Sequence, residues 1–473
     1  MMKKILIFIF AILFTAHARA ESLINDTEVE SVLSELVAPI ATAAKIAPNR
    51  MHIYLVDDDS FNAFVIGGED IYIYTGLLKR VTTPNALRAV VAHELGHTLG
   101  GHMAQLSAQM ESEMRRAMII QALGVGLMVL GGNPSLGAGV MAGATGIARQ
   151  SLLSFSRDEE RIADDLGFNL MVDAGYNPNG FIEIFTQMNE MTSPIESRVN
   201  KNSINHPVTA ERLKNVREKL ADKKIRDKKF KDDDAEMIKK YDLVRAKLVG
   251  YLDDSVRIKT LYPYSDKSDA AIYARAIANM RDGNLAGAAT GTRTLVSRQP
   301  KNPYFYELLG DIEYQFGHYD DSIDAYERAI TLRKNSPQIE TALALVLSER
   351  GGDDDRARAI ELCRHTILVE PKPLAYWVLA RAFGDDGRAD WAMAEFYTMQ
   401  KQPRKAREYA RRAKTRLPHD APEYIKSDDM LNQKRDYSKT FFCKLISFSV
   451  ATAAMSMISP SCDLSNGCCS PVD

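Results

Sequence analysis

The chain has 473 residues, with 60 basic against 62 acidic side chains and a formal net charge of −2. That length admits two or three domains, each with its own core, and the balanced charge excludes a nucleic-acid binder that works through bulk electrostatics. Four of the five cysteines (Cys443, Cys462, Cys468 and Cys469) crowd the C-terminal end and Cys363 stands alone, so most of the chain has no disulfide framework.

Lys3 and Lys4 precede the apolar run Ile5–Phe14, and Ala18 and Ala20 form a small-x-small pattern. A positive start, an apolar core and such a site predict a secretory signal over 1–20, cleaved after Ala20, with the mature chain in a bacterial periplasm. The core is shorter than the roughly 20 residues a spanning helix needs. No cysteine follows the site, so a lipid anchor is not expected.

Val32–Lys45 predicts a helix. Met51–Val56, Asn62–Ile66 and Asp70–Gly76 predict three short strands, with Gly67 and Gly68 marking a turn. Thr83 as N-cap and Pro84 at the first position open another helix. It carries "VVAHELGHTLGGH", Val90–His102. Residues 118–148 are Gly- and Ala-rich and apolar, but "GGNP" splits them into halves too short to span a bilayer. They predict a buried or interfacial helical hairpin near the site, with a peripheral membrane contact as its corollary. The mixed charge run Lys223–Glu236 predicts a solvated helix or linker.

From about Asp269 a repeat emerges. Pro303–Ser336 places Tyr306, Leu309, Gly310, Gly317, Tyr319, Tyr326 and Ala329 where a tetratricopeptide repeat packs its two helices. Tyr376, Leu379, Ala380, Phe383, Gly387, Ala392 and Phe396 repeat the pattern, with weaker copies around Tyr273–Val296 and Ala342–Ile367. Helix pairs of this kind stack because none can bury its apolar face alone. The apolar segment Phe441–Ile458, interrupted by Lys444, fits neither pattern; it reads as a marginal membrane segment or a poorly structured extension and suggests no function.

His93 and His97, at i and i+4, share one helix face at the separation two imidazoles need to meet a single Zn²⁺. Glu94 projects beside that face, where it can deprotonate a water. "HELGHTLGGH" approaches the metzincin spacing, but Met103 stands at the third histidine position and His102 comes one residue early. His102 is therefore expected to be exposed or in a supporting position. A better third ligand lies in "SFSRDEERIADDLG", where Glu160 and Asp164 stand at i and i+4 and small Ala163 permits close helix packing. Alone, that segment reads as a charged exposed face. Beside a histidine pair it reads as a carboxylate ligand, plus an aspartate that accepts the other ring N–H of a zinc histidine.

Together, "VVAHELGHTLGGH", "SRDEERIADDLG" and "NHPVTAERL" resemble the HExxH, ExxxD and His-Pro elements of the CAAX-prenyl-protease-type zinc peptidases. With the repeats included, the resemblance runs over roughly Ser31–Pro418. Ile66 stands where that family commonly has a proline, away from the metal motif. The resemblance implies that His93, His97 and Glu160 ligate one Zn²⁺ and that Glu94 is general base and then proton donor. It implies further that Asp164 orients a ligand histidine and that His206 stabilises the oxyanion, a position from which it can also cap the metal and keep the enzyme latent. For a periplasmic member with repeats it implies misfolded or misassembled outer-membrane β-barrel proteins as substrates, chaperone-like activity, and docking of the assembly machinery through the repeats.

The expected architecture is mainly α. A gluzincin-like metallopeptidase domain with a small β-sheet spans 21–222, linking helices 223–268 and a tetratricopeptide α-solenoid 269–420, and a tail of no assigned role 421–473. The rival reading is a periplasmic chaperone or assembly adaptor that acts through its repeats, its zinc site latent. Glu94 argues against a purely structural zinc, which needs no base.

Overall fold

A computed structural model describes residues 23–102, 157–192, 206 and 209–432. Residues 1–20, expected to be a secretory signal, the apolar stretch 118–148 and the segment Phe441–Ile458 lie outside the described residues. Among the described residues no helix is long and apolar enough to cross a membrane. They form two units: one takes 33–234 with the residues before 26, the other takes 26–32 and 235 onward.

The first unit holds a four-stranded sheet of β1 (Leu23–Ile24), β2 (His52–Val56), β3 (Ala63–Ile66) and β4 (Asp70–Tyr74) in the order β1-β2-β4-β3. β2 and β4 pair in parallel, Ile53 opposite Ile71 and Leu55 opposite Ile73. β3 returns antiparallel along β4 through a turn in which Gly67 and Gly68 both take positive φ, at 62° and 82°. That backbone region is nearly free of cost only for glycine. The alternation buries Ile53, Leu55, Val65, Ile71 and Ile73 on one face. On the other face Tyr54, Tyr72 and Phe64 stack, with ring centroids 4.8 Å apart at each step. The two-residue β1 was not legible from alternation, because it is too short to show any.

Helix α1 (Thr27–Ala43) begins earlier than its apolar period suggests. Asp26 sets the start by accepting a hydrogen bond from the Val29 amide at 2.9 Å. α2 (Thr75–Arg80) follows β4 directly, so the third predicted strand stops at Tyr74. α3 (Pro84–Leu99) starts as read, its Thr83 hydroxyl accepting from Ala86 N at 3.1 Å. It is buried on nearly all sides, so packing on every face fixes its rotation. Arg88, inside α3, is fully buried; its Nε donates to the Leu36 carbonyl at 3.0 Å and its guanidinium lies 3.9 Å over Tyr176.

α4 (Arg157–Ala174) crosses α3 where neither helix can carry a side chain. A Cβ on Gly96 would lie 2.4 Å from the Ala163 carbonyl oxygen, and one on Gly167 2.8 Å from that of Ala92. Small residues at the crossing bring the two polar motifs within bonding distance. α5 (Gly180–Thr192), α6 (Ala210–Ala221) and the single turn α7 (Lys223–Arg226) complete the described part of this unit.

The second unit is a stack of helix pairs. The first helices are α8 (Ala235–Leu252), α10 (Asp269–Arg281), α12 (Pro303–Phe316), α14 (Pro337–Arg350), α16 (Pro373–Phe383) and α18 (Pro403–Arg416). Their partners are α9 (Ser255–Leu261), α11 (Leu285–Arg298), α13 (Tyr319–Leu332), α15 (Asp353–Val369), α17 (Gly387–Met399) and α19 (Pro422–Asn432). Gly310 lets the Tyr326 ring lie 2.8 Å from where a Cβ would stand, and the Ser322 hydroxyl donates to the Gly310 carbonyl at 2.8 Å. These contacts are the pairing inside one repeat. Ile323, Tyr326, Leu343, Leu347, Leu379 and Trp391 share one core across three successive pairs, which makes the array an α-solenoid of tetratricopeptide repeats.

Glu307 on α12 is buried, and burial pushes its carboxyl up to about 8. In the unfolded chain it ionises near 4.5, so between these values the folded state holds a proton that the unfolded state has lost. The second unit is therefore expected to lose stability as pH rises across that window. Glu307→Gln should flatten the slope, read as urea midpoints of the full chain between about pH 5 and 8. An unchanged slope would remove Glu307 as its source.

Candidate metal centre

His93 and His97 project from one face of α3 with their Nε2 atoms 3.1 Å apart. Glu160, from the first turn of α4, places Oε2 3.4 Å from His93 Nε2 and Oε1 3.6 Å from His97 Nε2. His206 adds Nδ1, 3.5 Å from His93 Nε2 and 2.6 Å from Glu160 Oε1. One donor atom from each of these four residues lies within 4.8 Å of the others. Two nitrogens bound at about 2.0–2.1 Å to one tetrahedral zinc stand roughly 3.3 Å apart. The observed spacing is that of a ligand shell.

Contacts at the far ring nitrogens strengthen the fit. His93 Nδ1 lies 2.9 Å from Asp164 Oδ1, an ion-pair contact on the far side of the ring that leaves Nε2 facing inward. His97 Nδ1 lies 2.9 Å from His102 Nδ1, which turns His97 Nε2 inward as well. Two buried lone pairs 3.1 Å apart repel unless a cation sits between them. A proton can bridge only two of the donors, whereas a divalent metal satisfies all four. Burial opposes charging of His93, yet the hydrogen bonds to Asp164 and Glu160 push it up to about 9 in the metal-free chain. Burial, then the neighbouring imidazoles, hold His97 well below the ordinary range and hence neutral.

Glu94 is buried beside this group, its Oε1 3.6 Å from His206 Nε2, and burial holds its carboxyl above the usual range. A base with a raised pKa is suited to return the proton it takes. The apolar side chains of Phe61, Ala63, Phe181, Ile184, Phe185 and Met188 line a cleft into which His93, Glu94, His206 and Arg212 also open. Among the described residues β3 is an edge strand of the sheet.

All six residues singled out in the sequence come together here. One partner was not foreseen. Arg212, on the first turn of α6, donates Nε and Nη2 to the two oxygens of Asp164 at 2.7 and 2.8 Å, and Nη1 lies 2.7 Å from Glu160 Oε2. Its guanidinium lies 4.9 Å over the Phe185 ring. Burial alone would raise Asp164, but Arg212 and His93 hold it below the ordinary carboxylate range. The only available signal was the arginine six residues beyond His206 in "NHPVTAERL". His102 is 1% exposed and paired to His97, so of its two expected positions the supporting one holds and the exposed one does not.

A histidine pair one turn apart, a carboxylate from a second helix and a buried glutamate at an apolar cleft define a metallopeptidase centre, and the chain is a metalloprotease. Residues 24–220 match the model of peptidase family M48. The chain resembles the Beta-barrel assembly-enhancing protease: that of Escherichia coli K12 is 23% identical over 373 residues, 76% of this chain and 73% of the relative. The Yersinia pestis protein of the same name is 23% identical over 381 residues, 79% of this chain and 76% of the relative. Metalloprotease LoiP of Escherichia coli K12 is 27% identical over 176 residues, 37% of this chain and 64% of the relative.

Proposed function

We propose that the chain is an exported zinc endopeptidase of the periplasm, acting in quality control and assembly of outer-membrane β-barrel proteins, and that it holds one Zn²⁺ through His93, His97 and Glu160. The observation that carries this reading is the inward convergence of these three donors beside Glu94. The relatives' name supports the substrate class, and the repeat array supports docking of substrate or assembly machinery. Zinc, when bound, supplies a Lewis acid for the scissile carbonyl and acidifies water. Glu94 takes the proton of the attacking water and returns it to the leaving amine nitrogen. Asp164 and His102 fix the tautomers of His93 and His97, so neither ring has to reorient during turnover. Arg212 compensates the buried carboxylates. The β3 edge can pair with an extended substrate backbone, and the apolar cleft takes a large apolar side chain beside the bond that breaks.

The position of His206 among the donors favours a second feature, a latent resting state. Its imidazole contacts Glu160 here and swings to the oxyanion in the working state. His206→Ala is expected to keep its zinc and to lower turnover by roughly a hundredfold, measured as cleavage of an unfolded β-barrel protein alongside metal content. A rise in basal cleavage would leave the imidazole with capping alone. Glu160→Ala should lose stoichiometric zinc on dialysis against a weak chelator. Zinc retained at wild-type affinity would overturn the third-ligand assignment. The function itself is tested by digesting an unfolded outer-membrane β-barrel protein with the mature chain, with and without chelator. No cleavage by zinc-loaded chain would favour the chaperone or adaptor.

A further inference from the structure

The second unit contains seven residues from the far N-terminal end of the chain, 26–32. Lys247 Nζ on α8 lies 2.8 Å from Asp26 Oδ2 and 3.1 Å from Glu28 Oε2. The Tyr273 hydroxyl on α10 donates to Glu28 Oε2 at 2.8 Å. On α14, Gln338 Oε1 accepts from the Thr27 amide at 3.0 Å and from its hydroxyl at 3.2 Å. Tyr304 on α12 donates to the Thr27 carbonyl at 3.4 Å, and Arg333, the C-cap of α13, reaches the Ser31 hydroxyl at 3.3 Å. Apart from Arg333, these partners lie on the first helices of successive pairs. That is the face on which stacked helix pairs hold extended ligands.

The segment is also shaped as a ligand. Asp26 accepts from the Val29 amide at 2.9 Å while Glu30 Oε1 accepts from the Asp26 amide at 3.1 Å, so the helix start is capped in both directions. Val29 and Val32 are buried. The receptor side requires an anion. Lys247 is 4% exposed, and without the segment its nearest carboxylate would be Glu307 Oε2 at 3.9 Å. A buried ammonium that loses its close partners is strongly unfavourable. This face is built for carboxylates.

We propose that the first-helix face of the repeat array, from α8 to α14, is a receptor for an acidic helix start. Residues 26–32 are its built-in occupant, and a protein that docks on this face does so with the same chemistry: an aspartate cap followed by acidic residues in the first turn. The inference rests on the reading of the repeats as a docking array, and adds which face docks and what it recognises.

The test uses the full-length chain and a labelled peptide with the sequence of residues 25–41. Wild type should bind the peptide weakly, because the tethered segment competes at an effective concentration in the millimolar range. The Asp26→Asn/Glu28→Gln chain, whose own segment no longer pairs with Lys247, should bind it at least tenfold more tightly. Adding Lys247→Met should abolish that gain, and a peptide carrying the same Asn and Gln changes should not bind. A double variant with native circular dichroism that binds no better than wild type overturns the proposal, as does binding indifferent to the peptide's carboxylates. Should the variant lose helix, hydrogen exchange of amides 27–32 in wild type decides: faster exchange with saturating peptide supports displacement, and unchanged exchange refutes it. Co-purification of the untreated chain with its protein partners reports separately on docking. If it persists while the peptide fails, the array docks through another face.

Discussion

Glu94→Gln is expected to keep its metal and fold while losing peptide cleavage by roughly a thousandfold or more, the span of a general base that also serves as acid. The amide is nearly isosteric with the carboxylate and fills the same buried space beside His206, so packing changes little. What disappears is the acceptor for the water proton and, later, the donor to the leaving amine. Binding of an unfolded substrate should survive, so the loss should appear in kcat rather than in KM. The check is single-turnover cleavage on chains with matched zinc content. Cleavage within tenfold of wild type would place the base elsewhere.

The largest effect on stability is expected at a residue that touches no substrate. Arg212→Met removes a guanidinium that faces both Asp164 and Glu160, and all three groups are buried. Two carboxylates left without their cation cost about 3–5 kcal/mol, which in a domain of this size lowers the melting temperature by on the order of 10 °C. Methionine fills the space over Phe185 but carries no charge, so lost packing is the smaller part of the change. The melting temperature of the metal-free chain reads the effect directly. A shift of one or two degrees would mean that water or a nearby lysine replaces the guanidinium, and Arg212 would then have no structural role.

Five of the six residues marked in the sequence lay inside a local pattern, and His206 came through the family resemblance. His93 and His97 are one helical turn apart, and a helix places such a pair on one face wherever it sits. Glu160 and Asp164 are likewise i and i+4, and small Ala163 beside them already allowed a close crossing, to which the structure adds Gly96 and Gly167. The repeats were legible for the same reason: a helix pair that cannot bury its own apolar face writes its packing residues at a fixed period. The sheet was legible from alternation, except for the two-residue β1.

Tertiary structure alone decided the partners that no period connects. Arg212 reaches Asp164 across 48 residues, and His206 reaches Glu160 across 46. Tyr273 meets Glu28 across 245. The orientation of His102 toward His97 depends on the chain turning at Gly101, where φ is positive at 72°, at the end of α3. Side chains at such separations meet only because helices bury apolar faces elsewhere, and a lone arginine or aspartate carries no mark of the charge it will neutralise. The sequence by itself marked the candidate ligands and determined the architecture. The tertiary structure decided what compensates their buried charge, and what fills the face of the array, because both depend on desolvation, which exists only once the chain has folded.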